Sequence, residues 1–165
     1  MKKFMIVLTI LLTATTGFVF AEETPKEGAI SVTLSYNSPY KAMPMGKDVQ
    51  LIFDAIGVAV ADSEASPFHN SSVRILGSGL VLKGAYTEVG STVLNLSDGS
   101  RIFMTYEAKA VGPGKLEGSC TFIGGTEKFA GITGGGQLKR LNVPKPAMES
   151  SAQGYLKLTG NWKLP

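Results

Sequence analysis

The chain of 165 residues holds a single cysteine, Cys120, and a single histidine, His69. One cysteine excludes an intramolecular disulfide. One histidine with no clustered cysteines leaves no basis for a metal centre of the usual nitrogen and sulfur donors, and no cofactor is expected. Excess charge is also lacking. The 16 Lys and Arg stand against 13 Asp and Glu, and two of the lysines, Lys2 and Lys3, fall in the N-terminal leader described below. The balance without them is close to neutral, which removes charge as an argument for a nucleic-acid or anionic-membrane partner. The only adjacent basic pair beyond the leader, Lys139-Arg140, reads as a solvated face. Phosphate-binding glycine motifs are absent in both their usual spacings, and no stretch has the length and 3.6-residue period of a strong amphipathic helix.

What is present begins with a leader. Met1-Lys2-Lys3 is basic, Phe4 to Leu12 is nearly unbroken apolar sequence, and Val19-Phe20-Ala21 offers small residues at positions −3 and −1 of a cleavage site. This is the pattern of a secretory signal peptide over 1–21, leaving a single domain over 22–165 that is periplasmic or secreted. Thr9, Thr13, Thr15, Thr16 and Gly17 interrupt the apolar run, so a membrane span of about 20 apolar residues is not available. No membrane association is expected after cleavage.

The rest of the chain reads as strands. Ile30, Val32, Leu34 and Tyr36 alternate with polar residues at period two. Asn37 to Lys47, with Pro39, Pro44 and Gly46, reads as a loop whose Tyr40, Met43 and Met45 tuck under it or cap a cavity. Asp48 to Val60 is a strand expected to bulge or bend near Gly57. Ala61 to Ser71 is a second long loop. Ser72 to Lys83 is a strand broken at Gly77-Ser78-Gly79, and Ala85 to Ser91 is ambiguous. Asp98-Gly99 and Gly112-Pro113-Gly114 are turns between three antiparallel strands spanning 92–123. Strands over 137–143 and 153–164 close the chain. Eight antiparallel strands with no helix define an all-β fold. An eight-stranded antiparallel barrel, closed on itself so that no edge is exposed, suits this length, with a two-sheet sandwich as the alternative.

One stretch is more distinctive than the rest. Between Gly124 and Gly136, six of the thirteen residues are glycine. The run Gly124-Gly125-Thr126-Glu127-Lys128-Phe129-Ala130-Gly131-Ile132-Thr133-Gly134 resembles a motif of the allene oxide cyclase-like and dirigent-like barrels, in which an apolar strand is followed by a GGTG-[KR]-[FY]-x-G-x-x-G pattern. Asp98-Gly99 and the Tyr106-bearing strand after it look like uncharacterised exported bacterial proteins of that group. The resemblance covers about residues 98 to 136 and implies an eight-stranded barrel with a short helical turn near 126–130. Gly124, Gly125, Phe129, Gly131 and Gly134 are then a structural motif, with Phe129 an anchor into the core. Glu127 departs from the pattern, standing where the family carries glycine. The family's cyclase and pocket residues find no match in this sequence, so no activity is carried over.

No catalytic constellation emerges. Glu107 and Glu117 fall on outward faces, which argues against a glycosidase-type acid pair. Cys120 shares a face with Leu116 and Phe122 and reads as a buried, inert thiol. His69 reads as a loop residue at a pocket mouth or a turn. The candidate ligand-binding residues are Tyr36, Phe53, His69, Met104, Tyr106 and Trp162, mostly aromatic and mostly inward. They point to a small apolar or aromatic molecule bound in the barrel without catalysis. An isomerase or cyclase acting on a hydrophobic substrate is the second reading. A structural protein, homo-oligomeric through an outer wall bearing Phe103 and Ile123, is the third.

Overall fold

The computed structural model describes residues 25–165. The expected leader over 1–21 lies outside the described residues. Eight strands run in order: β1 (Glu27–Met45), β2 (Asp48–Ala61), β3 (Ser71–Leu82), β4 (Ala85–Asn95), β5 (Arg101–Gly112), β6 (Lys115–Gly125), β7 (Thr133–Asn142) and β8 (Ser151–Lys163). Each pairs antiparallel with its sequence neighbours, and β8 returns to β1, so the sheet closes into a barrel. A single 3-10 turn, Glu127–Phe129, interrupts the succession between β6 and β7. The eight-stranded barrel with a helical turn at the glycine-rich motif is therefore what the sequence forms, and the sandwich alternative is excluded.

Alternation fixes which side chains enter the barrel. Ile30, Val32, Leu34, Tyr36 and Ser38 of β1 are all buried, as are Ile102, Met104 and Ala108 of β5 and Leu116, Cys120 and Phe122 of β6. A period of two sends successive residues to opposite faces, so each of these sets lines the interior.

Three expectations are corrected. Asn37 to Lys47 is not a loop, because β1 continues to Met45. The prolines are tolerated because their missing N–H groups fall where ladders lapse. Pro39 is the last residue paired with β8 and lies in a gap of the pairing with β2, while Pro44 pairs with β2 alone. Proline is confined to such one-sided positions in sheets. At Gly57 the β1–β2 register does not shift; its missing Cβ lets the Ser35 carbonyl approach, where an added Cβ would stand 2.1 Å from that oxygen. Nor is β3 broken at Gly77-Ser78-Gly79. It pairs continuously with β2 and β4, and these glycines make room for rings of neighbouring strands. A Cβ on Gly77 would meet the Phe53 ring at 2.4 Å, one on Gly79 the Tyr86 hydroxyl at 2.3 Å, and one on Gly90 of β4 the Tyr106 ring at 2.6 Å. The rings of Phe53, Tyr86 and Tyr106 thus lie against backbone that carries no side chain. The register shifts instead at two places in the β5–β6 pair. Val111 of β5 is extra between Ala110–Leu116 and Gly112–Lys115. Toward the end of β6 the bulged residue is Ile123, extra between Met104–Phe122 and Phe103–Gly124 and left 59% exposed.

The bulge delivers the chain into the 3-10 turn. The Thr126 amide donates to the Arg101 carbonyl, and the Arg101 amide returns a bond to Thr126 Oγ1, both at 2.9 Å. This reciprocal pair orients Phe129 into the core, where it is fully buried. Glu127 holds φ +52°, in the left-handed region. The position where the resembled pattern carries glycine is therefore one whose backbone favours glycine.

Phe129 belongs to a plug. Its ring centroid lies 6.2 Å from that of Phe68 and 5.8 Å from that of Trp162, while Phe68 lies 6.3 Å from Phe122 and 6.0 Å from Trp162. Phe68 comes from the 62–70 connection and Phe129 from the 3-10 turn, so two loops and two strands close one end of the barrel with stacked and edge-on aromatic rings.

Candidate functional site: the open end of the barrel

The opposite end carries the tight turns Gly46-Lys47, Lys83-Gly84 and Pro113-Gly114, and the longer 143–150 connection. None of these turns inserts an aromatic plug. A chamber of about 420 Å3 opens there, lined by Tyr36, Phe53, Tyr86, Glu88, Leu116 and Arg140 among others. That volume falls within the range of small-molecule sites. Below it, a narrower cavity of about 40 Å3 continues toward the barrel centre, lined by residues including Tyr36, Phe53, Met104, Tyr106, Cys120 and Arg140. Such a volume holds one or two waters or a single functional group.

A charge pair spans the floor of the chamber. Glu88 faces inward from β4 and Arg140 from β7, and the guanidinium donates Nη1–H to Oε1 at 2.6 Å and Nη2–H to Oε2 at 2.8 Å. The side chains are 1% and 13% exposed respectively. A bidentate fork is the geometry in which guanidinium best matches carboxylate. Because β4 and β7 are three strands apart, the pair crosses the lumen rather than lying along the wall. Tyr86 adds its own O–H to Glu88 Oε2 at 2.8 Å. Tyr36 donates to Asn142 Oδ1, and its ring centroid stands 5.9 Å from the Arg140 guanidinium carbon, a cation–π contact.

Burial sets the protonation of this cluster. The Tyr36 phenol is pushed up to about 12 by burial, with Arg140 opposing and Glu88 adding to the rise. Burial followed by the Glu88 charge raises Tyr86 and Tyr106 as well. All three phenols are therefore neutral donors over the physiological range. Arg140 is raised: burial works against its charge, but Glu88 and then Tyr36 more than offset that. Cys120 is buried and pushed up by that burial, so it stands as a thiol rather than a thiolate nucleophile.

Two donors in this region lack a partner. The Tyr106 hydroxyl and Arg140 Nε are buried without any hydrogen bond among the described residues. Tyr106 lies near enough to Glu88 for its charge and a weak, outlying hydrogen-bond interaction to raise the phenol, but no hydrogen bond of normal length and angle joins the two. Buried polar groups are nearly always paired, so two unpaired donors beside a cavity set this region apart from the rest of the interior.

Of the six residues singled out from sequence, Tyr36, Phe53, Met104 and Tyr106 come together around these cavities. Trp162 does not; it is buried in the plug at the far end. His69 is also at that end, in the 62–70 connection, where its Nδ1 lies 3.3 Å from the Ala61 carbonyl and serves it as donor. The motif residues Gly124, Gly125, Phe129, Gly131 and Gly134 form the corner and plug, away from the chamber. Glu88, Arg140, Tyr86 and Asn142 were not anticipated. The reading of Lys139-Arg140 as a solvated pair is half right. Lys139 is exposed, but Arg140 follows Leu138 at period two and enters the barrel.

The architecture is a closed eight-stranded antiparallel barrel with a chamber open at one end. Among solved structures, the chain is similar to the pterocarpan synthase dirigent protein GePTS1, with a TM-score of 0.52 and 12% identity over 87% of this chain and 90% of that one. No protein-family model and no curated protein matches the chain.

Proposed function

We propose that this is an exported protein that binds a small, largely apolar or aromatic molecule in the open end of its barrel. The observation that carries the reading is the asymmetry of the interior. One end is closed by four aromatic rings, while the other holds a chamber of about 420 Å3 walled by rings and floored by a buried, hydrogen-bonded charge pair. Apolar walls with a few fixed polar groups are the usual make-up of a small-molecule site. Isothermal titration of the purified protein with a panel of two- and three-ring aromatic compounds tests the reading. Saturable binding of at least one compound with 1:1 stoichiometry supports it, and no binding across the panel up to millimolar concentration overturns it.

A second reading, an isomerase or cyclase working on the bound molecule, draws on two facts. The unpaired Tyr106 hydroxyl and the Glu88–Arg140–Tyr86 cluster border the cavities, so acid–base groups are at hand for a bound substrate. The similar structure is that of a protein named as a synthase. Recovering a bound ligand after incubation and finding the same mass with a changed retention time distinguishes turnover from binding. Export is proposed on the leader alone; mass spectrometry of the mature protein should find an N-terminus at Glu22.

A further inference from the structure

Resting on the binding reading, we infer that the ligand is an uncharged molecule whose polar group is a hydrogen-bond acceptor, such as a ketone, lactone or ether oxygen, seated between Tyr106 and Arg140. The inventory of donors and acceptors leads there. Both terminal nitrogens of Arg140 are engaged by Glu88, Tyr86 is spent on Glu88, and Tyr36 is spent on Asn142. The fully buried donors left unpaired at the inner cavity are Tyr106 O–H and Arg140 Nε–H, and the Ser38 and Thr92 hydroxyls that also line it can turn to donate. The third unpaired buried atom, Asn37 Oδ1, lies on the opposite face of β1 from Tyr36 and Ser38 and takes no part. Two free donors call for an acceptor.

Charge narrows the class further. Glu88 and Arg140 neutralise each other, so the floor of the chamber is electrically balanced. A carboxylate placed there would be an unmatched anion beside Glu88, and desolvating it would not be repaid. The third charged side chain at the chamber, Lys115, stands exposed at the rim, where water already solvates it. Size agrees with this division of labour. The cavity of about 40 Å3 takes one oxygen-bearing group, and the chamber of about 420 Å3 takes the body.

Three near-isosteric probes test the inference: 2-acetylnaphthalene, 2-naphthoate and 2-ethylnaphthalene, titrated against the purified protein and its Tyr106→Phe variant. The ketone should bind about tenfold tighter than either of the others, the size of effect that one or two satisfied hydrogen bonds produce. Tyr106→Phe should remove most of that advantage and leave 2-ethylnaphthalene within twofold, with the thermal melt confirming that the variant is folded. Equal binding of all three probes, or tightest binding of the naphthoate, overturns the inference while leaving the binding reading intact. If none of the three binds and the wider aromatic panel is also silent, the binding reading itself fails and takes the inference with it. Ketone binding unaltered by Tyr106→Phe places the acceptor elsewhere and also overturns the inference.

Discussion

At one end of the barrel, Phe68, Phe122, Phe129 and Trp162 fill the lumen with rings whose centroids lie 5.8–6.3 Å apart. At the other, the lumen is crossed by Glu88 and Arg140, edged by three phenols, and open to a chamber. Both ends are buried, but only the first is apolar and closed. Dry aromatic packing gives stability without any requirement for a partner. A buried ion pair is a poor device for stability, because removing two charges from water costs about what their attraction returns. Keeping one at the floor of a chamber makes physical sense when it orients other groups, as Glu88 orients Tyr86 and holds the Arg140 fork. The contrast teaches that one sheet, with one rule of alternation, can build a closed apolar foundation at one end and a polar-floored chamber at the other.

Substitutions break this contrast in different ways. The largest effect is expected from Phe129→Ala in the plug, a loss of about 3–5 kcal/mol from lost burial and an unfilled cavity. Denaturant titration measures it, and the folded fraction should still bind ligand at the far end. Arg140→Met should cost about 3 kcal/mol because Glu88 is left buried and unpaired, whereas the double change Glu88→Leu with Arg140→Met should return to within about 1 kcal/mol of the parent. Ligand binding should be lost in both variants, which separates the role of the pair in the site from its role in stability. At the small end, Glu127→Gly should raise stability by about 0.5–1 kcal/mol. Relief of the left-handed backbone at φ +52° outweighs the greater freedom of glycine in the unfolded chain. A rise in melting temperature of a few degrees, with unchanged binding, is the expected reading.

The closed end was the more legible in the sequence, and the reason is physical. Apolar alternation is the signal that marks an inward face, so Ile30, Val32, Leu34, Phe122 and Trp162 announced themselves, and the glycine-rich motif announced the corner. At the open end the aromatic positions Tyr36, Phe53 and Tyr106 were legible too, but the charged groups hide from the same signal. Along the part of β4 nearer the open end the inward set is Tyr86, Glu88, Gly90 and Thr92, and a set holding a charge, a glycine and a threonine carries no apolar period. Charges are read as wet by default, which hid Glu88 and Arg140 alike. Strict period-two counting from Leu138 places Arg140 inside, so that signal existed but was outweighed by residue type. Prolines misled in the other direction. Pro39 and Pro44 argued for a loop, yet both fall where β1 lacks a partner on one side. Phe68 came from a loop, and nothing in its neighbours ADSEASP foretold that it would complete the plug.

The central claim is that ligand is held at the open end and not at the plug. Two side-chain N–H groups report on the two ends in one nitrogen-15 correlation spectrum: Arg140 Nε–H at the chamber and the Trp162 indole N–H in the plug. On saturation with 2-acetylnaphthalene, the Arg140 Nε–H resonance should shift while the Trp162 indole resonance stays in place. A shift at Trp162 with none at Arg140 would contradict the account.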